Sequence, residues 1–327
     1  MKSAICTHRE YSMNARVPDL HSDNKNMLWL EITNFCNLHC SHCYNSSGSS
    51  EPLSPDVSVR RYHEILDEAK AIGFTRVQFI GGEPLFYPHL KELLDHALHS
   101  GFEFIEIFSN LTTVPLWFLE PRYRAVRVAT SVYSDDSDVH DVITESKHSF
   151  NRTIRSIKHL ISLGTILRAG FIEMKPNRGH FDRTRDYLKS LGVYDIGLDG
   201  VRGFGRADHQ GERNIAELCG QCSRGNLSVD AKGNVSACIM SKQWIFGNIA
   251  ETGLQELFSS PTREQFTRDL EAEIERRKAT ARVLCNPYDQ GQCAPQCAPA
   301  CYPSQNCNPC SPLASNPCNP NGRCGPY

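Results

Sequence analysis

The sequence has almost no excess charge of either sign, since 35 Lys and Arg residues face 37 Asp and Glu residues and the formal net charge is −2. Without a basic field to grip a phosphate backbone, the chain is not expected to bind nucleic acid. The first thirty residues contain several charged side chains and no apolar stretch, so neither a signal peptide nor a membrane anchor is predicted there. We therefore expect a cytoplasmic protein with no membrane partner.

Large hydrophobic residues are scarce in residues 285–327, which instead contain eight cysteines and nine prolines. Such a segment is either disordered or folded around metal, because burial alone cannot offset the entropy lost on ordering it. The chain has 15 cysteines in all, which is many for a reducing compartment. Metal or cluster ligation explains them better than a disulfide framework does, and we expect the tail to fold around metal.

Short β-rich runs alternate with amphipathic helical stretches from about residue 28 to residue 200. This alternation is typical of a parallel sheet built from βα units, and several runs are too apolar to have a solvated face. Helix boundaries are also predicted: Ser54-Pro55-Asp56 should open one helix that Gly73 closes, and Ser149 and Gly164 should bracket another. The six predicted strands are Leu28–Thr33, Arg76–Ile80, Glu103–Phe108, Ala125–Val132, Thr165–Met174 and Tyr194–Asp199.

The alternation of strands and helices fades after about residue 200. With the residues before the first strand and the Cys- and Pro-rich tail, this gives four predicted segments. In parallel barrels the active site gathers at the carboxyl ends of the strands, so motifs directly after strands are the first candidates for function. The segments are an N-terminal extension (1–27), a βα barrel (28–205), a hairpin and helix (206–284), and the Cys- and Pro-rich tail (285–327).

Three cysteines, Cys36, Cys40 and Cys43, follow the first predicted strand. Three thiolates on one loop can hold three irons of a [4Fe–4S] cube and leave the fourth iron open to a substrate. The spacing alone also allows a zinc site with a fourth ligand from His39 or His42, or a structural cluster completed by a distant cysteine.

A glycine-rich motif, Gly81-Gly82-Glu83-Pro84, follows the second predicted strand. Adjacent glycines let the backbone approach a ligand closely, and Glu83 can accept a hydrogen bond from an ammonium group. Because the carboxyl ends of parallel strands share one edge, this motif and the cysteine triad should lie together, which favours the open cluster over the zinc site.

The Cys-x3-Cys-x2-Cys triad with Gly-Gly-Glu-Pro resembles the radical S-adenosylmethionine (SAM) superfamily over about residues 28–199. The resemblance implies an α/β fold, a six-stranded partial (β/α)6 barrel similar to a TIM barrel, followed here by a small Cys-rich auxiliary-cluster domain. It implies a [4Fe–4S] cluster that binds SAM and cleaves it reductively to a 5′-deoxyadenosyl radical, which abstracts hydrogen from a substrate. It also implies an electron donor such as flavodoxin or ferredoxin, and it leaves the catalytic residues unknown.

By the same resemblance, the glycine-rich motif would bind SAM: Gly81, Gly82 and Glu83, followed by Pro84, would engage the methionyl amine. The backbone at His42 would meet the adenine, at a position where the family usually has an aromatic residue. His42 is therefore a mild departure from the family's pattern.

Polar residues after later strands would complete the SAM site. Ser109 and Asn110 after the third strand and Ser131 after the fourth occupy places where the family often contacts the ribose and the carboxylate of SAM, with ordinary turn chemistry as the alternative. Arg168 on the fifth strand would pair either with the SAM carboxylate or with a salt-bridge partner at the bottom of the barrel. His140-Asp141 is assigned to a solvated loop.

A second set of cysteines begins with Cys219 and Cys222, before a predicted hairpin that turns at Lys232-Gly233 and ends near Cys238. This run resembles the start of the SPASM or twitch extension that carries auxiliary iron–sulfur clusters, with a zinc ribbon as the alternative. By analogy with that family, cysteines of the tail would supply the remaining ligands, although the spacing of the tail cysteines departs from the family's pattern. The tail cysteines are Cys285, Cys293, Cys297, Cys301, Cys307, Cys310, Cys318 and Cys324.

Eleven cysteines lie from Cys219 onward, and two fully ligated cubes need eight, so one or two auxiliary clusters are expected with some thiols unassigned. The leading functional hypothesis is hydrogen abstraction from a ribosomally made peptide to install a crosslink or another change. The alternatives are an epimerase or dehydrogenase of an antibiotic sugar or other small molecule, and a non-catalytic iron–sulfur or zinc scaffold. The roughly 27 residues before the first strand are too short for a winged-helix leader-binding module, which would be separate or dispensable.

Overall fold

The computed structural model describes residues 26–208, 214–222 and 225–284. Six parallel strands with intervening helices form the partial barrel, so the fold class predicted from the sequence is confirmed. The strands of the barrel are β1 (Met27–Glu31), β2 (Arg76–Ile80), β3 (Phe104–Phe108), β4 (Arg127–Ser131), β5 (Leu167–Glu173) and β6 (Asp195–Gly200).

The strands alternate between a face that packs on helices and a face that lines the barrel. Val77, Phe79 and Ile105 belong to the hydrophobic core that the helices cover. Gln78 and Glu106, at the intervening positions, are also buried. Both faces of the central strands are therefore removed from water.

Seven helices occur in the described residues. Ser58 caps the first of them, because its hydroxyl accepts a hydrogen bond from Arg61 N at 3.2 Å. The predicted start at Ser54-Pro55-Asp56 is wrong, since Asp56 N instead donates to Ala231 O at 2.8 Å and joins that turn to the later hairpin. The helices are α1 (Val59–Ala71), α2 (Leu90–His99), α3 (Ser137–Thr144), α4 (Ser149–Ser162), α5 (Phe181–Ser190), α6 (Leu254–Phe258) and α7 (Pro261–Leu284).

The predicted hairpin is present as β7 (Leu227–Val229) and β8 (Asn234–Ser236), followed by β9 (Gly247–Asn248). Gly233 has φ +83°, the left-handed conformation that its turn requires. Strand β7 pairs in parallel with Leu28–Leu30 of β1, which gives a nine-stranded sheet in the order β6-β5-β4-β3-β2-β1-β7-β8-β9. The hairpin of the third predicted segment thus continues the sheet of the barrel.

None of the described helices is both long enough and apolar enough to cross a membrane.

Candidate functional site

The three cysteines of the triad lie on the loop that follows β1, here called the cluster loop (Thr33–Ser47). Local backbone hydrogen bonds fold this loop, from Cys36 N to Gly48 O and from Cys43 N to Cys40 O, both at 3.1 Å. The thiols are close enough to influence one another, and burial raises the pKa of both Cys36 and Cys40 to about 12. The loop gathers three thiols at the carboxyl end of the first strand.

The end of α3 holds one side of the cluster loop. His39 N and Ser41 N donate to the carbonyl oxygens of Thr144 and Ile143, at 3.2 and 3.0 Å. These are two of the carbonyl groups that a helix leaves without partners at its C-terminus. The helix end and the loop therefore satisfy each other's backbone polar groups.

The two glycines of the glycine-rich motif hold the other side of the loop. Gly82 N donates to Thr33 O, and a Cβ atom at Gly82 would lie 1.9 Å from Phe35 O. Gly81 has φ +139°, and a Cβ atom there would lie 2.3 Å from Thr33 O. The two glycines thus let the motif pack closely on the backbone of the cluster loop, and their approach to a ligand stays a prediction.

Glu83 is buried with 1% of its surface exposed, and its carboxylate binds groups of the protein. Oε1 accepts hydrogen bonds from Leu85 N at 3.0 Å and Ser109 Oγ at 2.7 Å, and Oε2 accepts one from Asn110 N at 2.7 Å. Burial raises the pKa of Glu83 to about 7. Glu83 joins the end of β2 to the end of β3, while Pro84 begins a short 3-10 helix directly after it.

Asn110 joins the end of β3 to the cluster loop. Its Nδ2 donates to Asn37 Oδ1 at 2.9 Å and lies 3.7 Å from the sulfur of Cys36. Its Oδ1 accepts from Thr112 Oγ1 at 2.7 Å. Asn110 thus lies beside Cys36 of the triad, whereas Ser109 bonds to Glu83.

The ring of His42 packs edge-on against Tyr133, with 4.9 Å between ring centroids. Burial lowers the pKa of His42 to about 4, and its buried Nδ1 has no hydrogen-bond partner among the described residues. Tyr133 follows β4 and its hydroxyl forms a hydrogen bond with Ser131. Of these three residues Tyr133 is buried and the other two are partly buried, and the sequence analysis missed Tyr133.

Arg206 is a second residue that the sequence analysis missed. Its Nε donates to Cys40 O at 2.8 Å and its guanidinium also donates to Ser47 O at 2.7 Å. Gly205 permits this contact, because a Cβ atom there would lie 2.3 Å from Cys43 O. The segment after β6 therefore fastens the cluster loop from the far edge of the barrel.

Arg168 is the second residue of β5, and its guanidinium lies 5.6 Å from the centroid of the Phe108 ring at the end of β3. Its guanidinium forms a bidentate ion pair with Glu106, at 2.9 and 2.8 Å. Arg168 pairs in the sheet with Ala129, two positions before Ser131. Of the two alternatives for Arg168, the structure contains the salt bridge, and the pairing with a SAM carboxylate stays a prediction.

The prediction of a solvated loop at His140-Asp141 is wrong. Both residues lie in α3. His140 is only 2% exposed, and its Nδ1 accepts a hydrogen bond from Tyr133 N at 3.3 Å. The Asp141 carboxylate accepts from Ser149 Oγ at 2.8 Å and Phe150 N at 2.9 Å. Asp141 therefore caps the start of α4 from the preceding helix.

The chemistry of the triad suits a cluster better than a single zinc ion. His39 Nδ1 lies 2.8 Å from Glu145 Oε2 and His42 packs on Tyr133, so neither ring is arranged as a fourth ligand. Among residues 26–208, 214–222 and 225–284, no three Cys, His, Asp or Glu side chains surround one metal position. A cube requires no such convergence, because each thiolate binds a different iron.

The cysteines Cys219, Cys222 and Cys238, here called the auxiliary thiols, come together beside the hairpin. The sulfur atoms of Cys222 and Cys238 are 3.1 Å apart, and Cys238 N donates to Ser241 Oγ at 2.8 Å. A hydrogen bond with Cys222 lowers the pKa of Cys219 to about 6. The predicted tail ligands lie outside the described residues: Cys285, Cys293, Cys297, Cys301, Cys307, Cys310, Cys318 and Cys324.

A buried ion pair connects the cluster loop with the segment after the auxiliary thiols. Lys242 Nζ lies 2.5 Å from Glu31 Oε2, and the hydroxyl of Tyr44 donates to Glu31 Oε1 at 2.8 Å. Lys242 also donates to Asn45 of the cluster loop. The sequence analysis missed this connection, although a carboxylate inside an apolar strand was a signal that Glu31 has a buried partner.

Family models match most of the chain in two parts. The model of the radical SAM superfamily matches residues 30–179, which include the triad, the glycine-rich motif and the ends of β3 and β4. The model of the SPASM domain, an iron–sulfur cluster-binding domain, matches residues 213–298.

Two curated relatives are each 25% identical to the chain. One is the antilisterial bacteriocin subtilosin biosynthesis protein AlbA of Bacillus subtilis (strain 168), similar over 266 residues, 71% of this chain and 59% of AlbA. The other is the AdoMet-dependent heme synthase of Methanosarcina barkeri (strain Fusaro / DSM 804), similar over 188 residues, 57% of this chain and 54% of the synthase. The chain thus spans a little over half the length of these relatives.

Solved structures share the fold at low sequence identity. Streptococcus suis SuiB bound to S-adenosylmethionine superposes with a TM-score of 0.60 at 14% identity, over 74% of this chain and 68% of SuiB. SuiB bound to precursor peptide SuiA gives 0.61 at 14% identity, over 74% and 66% of the two chains. Native anSMEcpe with bound AdoMet and Cp18Cys peptide gives 0.56 at 13% identity, over 73% and 81%.

Proposed function

Because this chain belongs to the radical SAM superfamily and carries a SPASM domain, we propose that it modifies a ribosomally made peptide. The proposed change is a crosslink or another alteration that begins with removal of a hydrogen atom. The observation that carries this proposal is the match to AlbA, named as a bacteriocin biosynthesis protein, over 71% of this chain. The SuiB fold, solved with a precursor peptide, gives further support.

The cofactors are SAM with a [4Fe–4S] cluster in the barrel and auxiliary iron–sulfur clusters in the SPASM domain. With the cluster reduced, SAM bound to it would supply the radical that abstracts a hydrogen atom from the substrate. We propose that Cys36, Cys40 and Cys43 hold this cluster, and that Cys219, Cys222 and Cys238 hold part of an auxiliary one. A reductant such as flavodoxin or ferredoxin is a proposed partner.

The protein's own groups prepare the proposed SAM site. Asn110 orients Cys36 through the contact of its Nδ2 with the sulfur. The packed rings of His42 and Tyr133 would limit the access of water from one side of the site, which would strengthen electrostatic interactions there. His42, with its pKa lowered to about 4, is neutral at neutral pH.

A second candidate is modification of a small molecule, supported by the match to the AdoMet-dependent heme synthase over 57% of this chain. The two candidates differ in which compound stimulates SAM cleavage above the uncoupled background. They also differ in which compound transfers deuterium into 5′-deoxyadenosine.

The test uses the full chain, reconstituted with iron and sulfide and reduced by dithionite. We expect precursor peptides to stimulate 5′-deoxyadenosine formation, a deuterated peptide to label that product, and the peptide mass to change. The Cys43→Ala variant is the inactive control. Stimulation and labelling by a small molecule, with every peptide inert, would reject the peptide proposal in favour of the second candidate.

A further inference from the structure

A groove of about 560 Å³ lies on the outer wall of the barrel, between α4 and α5. Two aromatic rings line it, Phe150 from α4 and Tyr187 from α5, stacked with 6.1 Å between their centroids. Four of the other six lining residues are basic, and the remaining two are Asn151 and Ile154. This basic groove is defined by His148, Phe150, Arg152, Arg155, Lys158 and Tyr187.

The positive charge of the middle of the groove is not paired with carboxylates of the described residues, whereas the Asp141 carboxylate lies at its start, where it accepts a hydrogen bond from Phe150 N. Helix α4 contains no Asp or Glu from Ser149 to Ser162. The guanidinium of Arg152 donates only to neutral oxygens, Lys147 O and Ser146 Oγ, both at 3.1 Å. No ion pair in the part of the chain that the structure describes involves Arg155 or Lys158.

Carboxylates on the neighbouring helix α5 already have other partners. Asp182 and Asp186 lie 2.7 and 3.2 Å from nitrogen atoms of Arg185. Like charges three residues apart on one helix face repel each other, so the basic row of α4 costs stability rather than adding it. An anionic ligand would remove this repulsion.

The groove begins at the end of the barrel that carries the cysteine triad. Thr153 Oγ1, in the first turns of α4, donates to Asn110 O at 2.8 Å. The end of α3, which precedes α4, bonds to the cluster loop through Ile143 O and Thr144 O. From His148 to Lys158 the helical rise carries the groove about 15 Å along the wall, away from the triad.

We propose that the basic groove binds an acidic segment of the peptide substrate, outside the residues that react; this rests on the proposed peptide function. Arg152, Arg155 and Lys158 would pair with Asp or Glu side chains, since guanidinium groups match carboxylate geometry. Phe150 and Tyr187 would contact an apolar side chain of the same segment. An extended segment of about four or five residues spans 15 Å, and its chain can continue into the open end of the barrel.

The test reverses charge at the two exposed groove residues, in the variant Arg155→Glu/Lys158→Glu of the full reconstituted chain. With dithionite as the reductant, we expect the peptide KM to rise roughly tenfold with kcat little changed. SAM cleavage without peptide should stay at the wild-type rate. The matched control is Arg60→Glu on α1, whose side chain is 90% exposed, and it should leave the peptide KM unchanged.

A second arm changes the peptide. Replacing its Asp and Glu residues by Asn and Gln should raise the wild-type KM by a similar factor and should have little further effect on the charge-reversed variant. Equal KM values for the wild type and the variant with the acidic peptide would overturn the proposal. The charge-reversed variant could instead show a normal peptide KM with dithionite and slow turnover only when a flavodoxin supplies electrons. That result would identify the groove as a reductase-docking site and would also overturn the proposal.

Binding without turnover separates this proposal from the proposed function. Fluorescence anisotropy measures a labelled peptide that contains Asp and Glu around one aromatic residue. Tighter binding to the wild type than to Arg155→Glu/Lys158→Glu supports the groove even if no peptide is modified. Equal binding to the two proteins rejects the groove even if peptides are modified.

Discussion

The two cysteine sites use the same ligand type on different supports. Cys36 and Cys43 lie on one loop that is held by α3, β2, β3 and the segment after β6. The auxiliary thiols come from separate segments beside a small hairpin. Burial raises the pKa of Cys36 to about 12, whereas a hydrogen bond lowers that of Cys219 to about 6. The barrel thus prearranges a loop, while the hairpin brings distant segments together.

The largest effect is expected when the loop site alone is removed. The variant Cys36→Ala/Cys40→Ala/Cys43→Ala should lower 5′-deoxyadenosine formation to the protein-free background, because no thiolates remain to hold the SAM-binding cluster. Substantial iron should stay bound at the auxiliary site. Chromatographic assay of the product and an iron determination measure the two effects.

The matched variant at the second site is Cys222→Ala. We expect it to lose about four irons per chain and to stop peptide modification while uncoupled SAM cleavage persists. If Cys222→Ala abolished SAM cleavage as completely as the triple variant, the two sites would not be separable. Normal SAM cleavage by the triple variant would reject the assignment of the loop.

A smaller loss is expected when the support of the loop is disturbed. In Gly82→Ala the new methyl group would lie 1.9 Å from Phe35 O, so the cluster loop must move by about 1 Å. A displacement of this size costs about a hundredfold in rate, measured as SAM cleavage at equal protein concentration.

The control for this prediction is Gly101→Ala. Gly101 also has a positive φ, +72°, but no atom lies within 4 Å of an added Cβ. We expect a loss of about 1 kcal/mol in stability and unchanged SAM cleavage. Equal activities of Gly82→Ala and Gly101→Ala would show that the close approach at Gly82 is not required.

The smallest effect on activity is expected at the connection between the two sites. In Lys242→Met, the buried carboxylate of Glu31 loses the ammonium group that it pairs with. Since the Lys242 side chain is only 26% exposed, water replaces the lost partner poorly, and the free energy of unfolding should fall by about 3 kcal/mol. Denaturant titration of the reconstituted protein measures this change. The double variant Glu31→Gln/Lys242→Met should recover most of the loss, and additive losses would contradict a direct pairing.

The strands were predictable because their apolar runs are local features of the sequence. Arg76–Ile80 was predicted with the bounds that the structure has, and the start of α4 at Ser149 was also found. The start of α1 was missed because Asp56 N bonds to Ala231 O, and no local pattern reveals a partner so distant in sequence. Boundaries that depend on tertiary contacts are therefore the ones that fail.

The positions of several site residues were predictable from the sequence, but their contacts within the protein were not. Ser109 and Asn110 were placed correctly after the third strand, and the structure adds their contacts with Glu83 and Cys36, while their contact with SAM stays a prediction. Arg206 and Lys242 were missed because each acts on the cluster loop from about 160 to 200 residues away in the chain. The buried contact of Glu31 could have been predicted, because Glu31 is a charged residue within an apolar strand.

The parallel pairing of β7 with β1 has a consequence for how the chain is made. Met27 N donates to Asn226 Oδ1 in a buried contact between residues 199 positions apart. At a synthesis rate of about 5–20 residues per second, β1 therefore waits roughly 10–40 s on the ribosome before β7 emerges. During that interval one edge of β1 is an unpaired template for foreign strands, so the nascent barrel is most exposed to aggregation before its hairpin is translated.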